Sequence, residues 1–121
     1  MKYIVLAYTS PAAWENATAE EIQAACDFYE VLGKELAESG EAVYNAGLAD
    51  PSHTRTIRKQ DGGPVATDGP YAEAKEVLVS FGIVDCVSHD RAMAIGARIA
   101  DAIGDTIEVR PLMNGDPGLE M

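Results

Sequence analysis

Cysteine, histidine, tryptophan and positive charge are all scarce in this chain, and each shortage removes a class of function. The only cysteines are Cys26 and Cys86; Cys26 has no cysteine or histidine within four residues, and Cys86 has only His89, three residues on, with no second such pair to complete a set of four ligands. That spacing excludes a zinc site of the usual pattern. Pairing of the two stays open; both sit in apolar patterns, and two buried thiols in a reducing cytoplasm are expected. No apolar run approaches the ~20 residues of a membrane span. The amino terminus reads as a strand and not as a signal peptide, so a cytoplasmic protein with no membrane partner is expected. Nine Lys and Arg face 20 Asp and Glu, a net charge of −11. Such a surface repels phosphate backbones and anionic lipid, which argues against nucleic acid as a partner. The acidity reads as a solubility device, with no metal and no cofactor called for. Repeats and low-complexity tracts are absent.

What is present is enough for one domain. A chain of 121 residues buries roughly two-thirds of its unfolded surface. The domain is expected over 1–113, with 114–121 as a tail containing two Gly and a Pro. Tyr3 to Tyr8 reads as a strand with no polar face: Tyr3, Val5 and Ala7 point one way, Ile4, Leu6 and Tyr8 the other. That pattern places it centrally in its sheet. Thr9 to Asn16 reads as a loop, with Trp14 folding back as a lid on the core. Thr18 and Glu21 form a capping box. The helix they start carries an apolar stripe of Ile22, Ala25, Cys26, Tyr29, Leu32, Gly33 and Leu36, and Gly40 ends it.

Glu41 to Leu48 reads as a second strand. Thr54–Lys59 and Pro64–Thr67, joined at Asp61-Gly62-Gly63, form a hairpin too polar to be central, so it belongs at the edge or rim. Val77 to Cys86 is the longest β-type run. Ser88 caps a second helix with Asp90 in its first turn, Ala92, Ile95, Gly96, Ile99, Ala100 and Ile103 as its stripe, and Gly104 as its end. Thr106 to Leu112 is the last strand. The order β-α-β-(hairpin)-β-α-β implies an α+β fold of ferredoxin-like type, β-α-β-β-α-β with an inserted hairpin. Two helices cover one sheet face, yet the central strands are apolar on both. A second copy of the chain, sheet against sheet, is the expected cover, so a homodimer is expected.

The chain is organised around Asp68-Gly69-Pro70-Tyr71-Ala72-Glu73-Ala74-Lys75-Glu76, which runs straight into the long strand. Gly69 permits positive φ, and Pro70 suits the start of a short helical turn. The block resembles the signature Asp-Gly-Pro-Phe-Ala-Glu-Thr-Lys-Glu of one branch of the YCII-related family, with Tyr71 for Phe and Ala74 for Thr. The opening Met1-Lys2-Tyr3, Ala46-Gly47-Leu48 and the closing Val109-Arg110-Pro111 extend the resemblance. It implies dimeric α+β barrels, a superfamily that includes a cofactor-free dehydrochlorinase, and gene neighbourhoods with alternative sigma factors that suggest an accessory role. Better-studied members have a proposed His–Asp pair with its histidine on the first helix. Here the helix from Thr18 to Ser39 has none, with Phe28 and Tyr29 in that region, so the pair does not carry over.

The candidate ligand-binding group is His53, Arg55, Asp68, Tyr71, Glu73 and Lys75, all on or beside the hairpin and the turn. His53 with a carboxylate could act as general base, Tyr71 could donate a proton, and Arg55 or Lys75 could hold an anion. Their plain readings are an exposed loop histidine, a turn-capping aspartate and a solvated helical turn. His89, next to the N-cap Ser88, is expected at the surface. Two functions follow: a dimeric small-molecule-binding or regulatory accessory protein, or a cofactor-independent lyase- or isomerase-type enzyme using acid–base chemistry in a cleft by the Asp-Gly-Pro-Tyr turn.

Overall fold

The structure, a computed structural model, describes residues 1–70 and 75–113. Among the described residues there are six strands: β1 (Lys2–Thr9), β2 (Ala42–Gly47), β3 (Arg55–Gln60), β4 (Gly63–Asp68), β5 (Val77–Asp85) and β6 (Thr106–Pro111). Three helices join them: α1 (Pro11–Asn16), α2 (Ala19–Glu38) and α3 (His89–Ile103). The main sheet has the order β2-β5-β1-β6 with every neighbouring pair antiparallel, while β3 and β4 form a separate two-stranded sheet. This is an α+β fold.

Local chemistry explains where the elements begin and end. Thr18 accepts from the Glu21 amide at 3.1 Å and Glu21 accepts from the Thr18 amide at 3.3 Å, closing the capping box of α2. Ser88 accepts from the Arg91 amide at 3.1 Å to start α3, and Gly104 ends it with φ of 85°. Gly69 has φ of 87°, so the turn before the long strand does need a glycine.

Register decides the two faces of the sheet. Tyr3 lies opposite Val84 and Val5 opposite Gly82 and Val109, so these share one face. There they pack with Leu32 and Leu36 of α2 and with Ala92, Ile95 and Ile99 of α3. The helix α3 comes closest at Gly96, where a Cβ would meet Val109 Cγ2 at 2.7 Å. On the other face Ile4 lies opposite Ile83, Leu6 opposite Phe81, Tyr44 opposite Ile83 and Ala46 opposite Phe81. Those side chains are half-buried or, for Tyr44, exposed, and α2 and α3 pack on the opposite face.

Several expectations need correction. The four-stranded sheet of a single chain is open and does not close into a barrel. The segment expected as a loop after β1 contains α1, because Ser10 caps it, accepting from the Ala13 amide at 3.1 Å, and Pro11 occupies its first turn. Trp14 does not lie over the core; it is at the surface, and its indole N–H donates to Asp50 at 2.9 Å. The stripe of α2 is only half used. Leu32 and Leu36 are buried, but Ile22, Cys26 and Tyr29 are exposed. Cys26 is therefore not a buried thiol, whereas Cys86 is. The hairpin is an independent sheet and makes no ladder to the main one. The tail expected at 114–121 lies outside the described residues.

Candidate functional site: a carboxylate cleft at the end of the sheet

Of the six residues singled out in the sequence, Tyr71 and Glu73 lie outside the described residues. His53 ends a 3-10 turn, Pro51–His53, and is exposed. Arg55 and Asp68 sit opposite each other across the hairpin and form an ion pair of 3.0 Å, with side chains 65% and 89% exposed. A pair in that much solvent contributes little stability. Lys75 is exposed beside the start of β5. His53 comes close enough to Asp50 to favour its charged form. The larger influences on Asp50 are the Ser52 amide and the Trp14 indole, which together hold it at about 2. His89 is also at the surface, with its ring 5.8 Å from that of Tyr3.

A more enclosed place lies where β1 ends and β5 and β6 begin. A cleft of about 180 Å³ is lined there by Tyr8, Thr9, Ser10, Ala13, Glu76 and Asp105, together with Gly104 and Thr106. Each wall has a local reason. Ser10 and Ala13 belong to the capped start of α1. Gly104 turns the chain out of α3 in the left-handed conformation and delivers Asp105 at the mouth of β6. Glu76, the last residue of the signature block, precedes β5 and accepts a hydrogen bond from the Thr106 hydroxyl at 3.1 Å.

The electrostatics of this cleft are one-sided. Burial raises the Asp105 carboxyl above its ordinary range; a hydrogen bond from Thr9 opposes that, and the nearby charge of Glu76 adds to it. Behind it, burial raises the Tyr29 phenol; a hydrogen bond with Ser80 opposes this shift, and the charge of Asp105 adds to it. The Tyr8 phenol is raised chiefly by its hydrogen bond to Glu108. The lining residues include no Lys, Arg or His. Such a site accepts hydrogen bonds from a donor-rich or cationic group, and it holds a carboxyl that keeps its proton more readily than an ordinary aspartate. Among the described residues no three His, Cys, Asp or Glu side chains converge as a metal site would require.

Sequence reading passed over Asp105 and Glu76. Asp105 follows the helix-ending Gly104 and reads as turn chemistry, while Glu76 reads as part of a solvated helical turn. Only the pairing of β1 with both β5 and β6 brings them to one place. The available signal was positional: both carboxylates immediately precede apolar strands.

These features define an α+β protein with an open antiparallel sheet and a small polar cleft at its end. The chain is a member of the YCII-related family: the model of the YCII-related domain matches residues 1–115. An uncharacterized protein of Rhizobium meliloti (strain 1021) is 31% identical over 120 residues, covering 98% of this chain and 97% of that protein.

Proposed function

We propose that the protein is a homodimeric small-molecule-binding module of the accessory or regulatory kind, with its ligand in the Asp105 cleft. The observation that carries this reading is the cleft's position. Tyr8 and Thr106 line it and also lie opposite each other on the uncovered sheet face. A second copy laid on that face would bury Ile4, Leu6, Phe81 and Ile83 and narrow the cleft mouth. The strand order β2-β5-β1-β6, with both long helices on one face, supports a ferredoxin-like unit of which two open sheets form an α+β barrel. His53, Arg55, Asp68 and Lys75, with Tyr71 and Glu73, form a further group proposed to contact ligand, since their stretch runs into Glu76 at the cleft.

Two measurements test this. Sedimentation velocity at micromolar concentration should show a dimer burying on the order of 1,200–2,000 Å² in total, and Ile83→Asp should release monomers. A thermal-shift screen of small alkylammonium ions and neutral polyols should find ligands that stabilise the wild type and lose their effect in Asp105→Asn. A monomeric wild type would overturn the assembly, and ligands indifferent to Asp105 would move the site elsewhere. In that case the same screen against Asp68→Asn tests the hairpin root.

One observation favours a second reading, a cofactor-independent lyase- or isomerase-type enzyme. Asp105 combines a raised carboxyl pKa with a cleft beside it and the Tyr29 phenol nearby. A carboxyl whose pKa is raised is a stronger proton acceptor than an ordinary aspartate, as a general base needs. In this reading Asp105 takes the place that the sequence suggested for His53.

A further inference from the structure

The β3–β4 hairpin and the first half of α2 pose the same physical problem. A two-stranded hairpin alone in water is marginally stable at best, yet among the described residues this one has no third strand. Its pairing puts Ile57 opposite Ala66 and Lys59 opposite Pro64 on one face. Ile57 is 68% exposed. On α2, Ile22, Cys26 and Tyr29 follow helical spacing along one stripe, and Ile22 is 55% exposed. Among the described residues Ile57, Ile22 and Cys26 are left exposed, whereas Tyr29 is partly covered where it reaches Ser80.

Their charges are complementary. The hairpin carries Arg55, Arg58 and Lys59 against Asp61 and Asp68, a net positive segment in a chain of net charge −11. The exposed half of α2 carries Glu20, Glu21, Asp27 and Glu30, with no Lys or Arg before Lys34. Both elements also lie toward one end of the sheet. The Tyr29 hydroxyl bonds Ser80, and Ser80 pairs with Gly47, from which the chain leaves for the hairpin.

We propose that the hairpin is a basic arm that packs its Ile57 face on the acidic Ile22–Cys26–Tyr29 stripe of a second copy of this chain. This rests on the homodimer proposed above and adds to it a reciprocal exchange of arms, each copy giving one and receiving one. The contact is isologous, as a two-fold assembly requires. A second copy suits the arm because the acidic, apolar surface it needs is present on the chain itself. The apolar strip sets the position, and the charges select the partner.

The exposed Cys26 supplies the test. In an Ile57→Cys variant oxidised with diamide, most of the chain should run as a covalent dimer on a non-reducing gel. The product should disappear when Cys26→Ser is added. A second experiment is independent of the thiols: Ile57→Asp should weaken the dimer about tenfold or more in sedimentation, and Lys59→Glu should do so less at high salt than at low. If the wild type is a dimer that Ile83→Asp dissociates, while Ile57→Asp changes nothing and Ile57→Cys gives no interchain disulfide, the arm inference is overturned and the sheet-to-sheet dimer survives. If the wild type is a monomer, both fall. An intrachain disulfide would show the arm resting on its own helix and would also overturn the proposal.

Discussion

The two faces of β1 are built from similar side chains and have different fates. Tyr3, Val5 and Ala7 are 1%, 6% and 4% exposed, beneath α2 and α3. Ile4, Leu6 and Tyr8, the alternating residues of the same strand, are only half-buried. Hydrophobicity is therefore equal across the strand, while packing within the chain is not. The burial available to a side chain depends on what is laid over it, and two long helices suffice for one layer.

Substitutions can break this contrast, and the largest effect belongs on the covered face. Tyr3→Ala should cost about 3–5 kcal/mol, as large aromatic truncations in a core do, measured by denaturant unfolding. Gly96→Val should follow at roughly 1–3 kcal/mol, because its side chain would be driven into Val109 and Ile107. A melting midpoint unchanged in this variant would show that α3 can lift from the sheet without loss. Gly69→Val should also cost roughly 1–3 kcal/mol, from the φ of 87°; among the described residues, its chain neighbours aside, no atom lies within 4 Å of the added Cβ.

Glu41 tests the edge of the covered layer. Arg91 donates to both its carboxylate oxygens, at 2.8 and 2.9 Å, and Ser39 donates at 2.7 Å. These bonds, Arg91 first, hold its pKa at about 2, against an ordinary 4.5. The sign follows directly: its contribution is full above pH 4.5 and is lost as pH falls toward 2. Glu41→Gln should cost about 1–2 kcal/mol at neutral pH, discounted because Arg91 is 43% exposed. The variant's stability curve should be flatter between pH 4.5 and 2.

The smallest effect is expected in the cleft, with the opposite sign. Asp105 has a raised folded pKa, so its stabilising contribution is present at low pH and lost as pH rises through that value. Asp105→Asn should leave the protein as stable as the wild type at neutral pH, or slightly more so, while removing ligand binding.

Element order and helix ends were legible in the sequence because they depend on neighbours in the chain. Thr18 with Glu21, Ser88 and Gly104 each act within one helical turn of themselves. The helix α1 was missed because six residues are too few to show a period, although Ser10 and Pro11 carried the start signal. The exposure of Cys26 and Tyr29 was not legible, since apolar spacing on α2 cannot tell how closely each turn is packed against the sheet. The cleft was hidden for a different reason. Glu76 and Thr106, whose side chains bond across it, are 30 positions apart, and only the register of three strands joins them.

Trp14 is the chain's sole tryptophan, and its indole is tied to a carboxylate that remains charged down to about pH 2. It shares α1 with Ala13, which lines the cleft. The molecule thus carries one indole, with a charged neighbour, on the helix that borders the Asp105 cleft. Indole emission, excited selectively over the five tyrosines, reads the surroundings of α1 without a label.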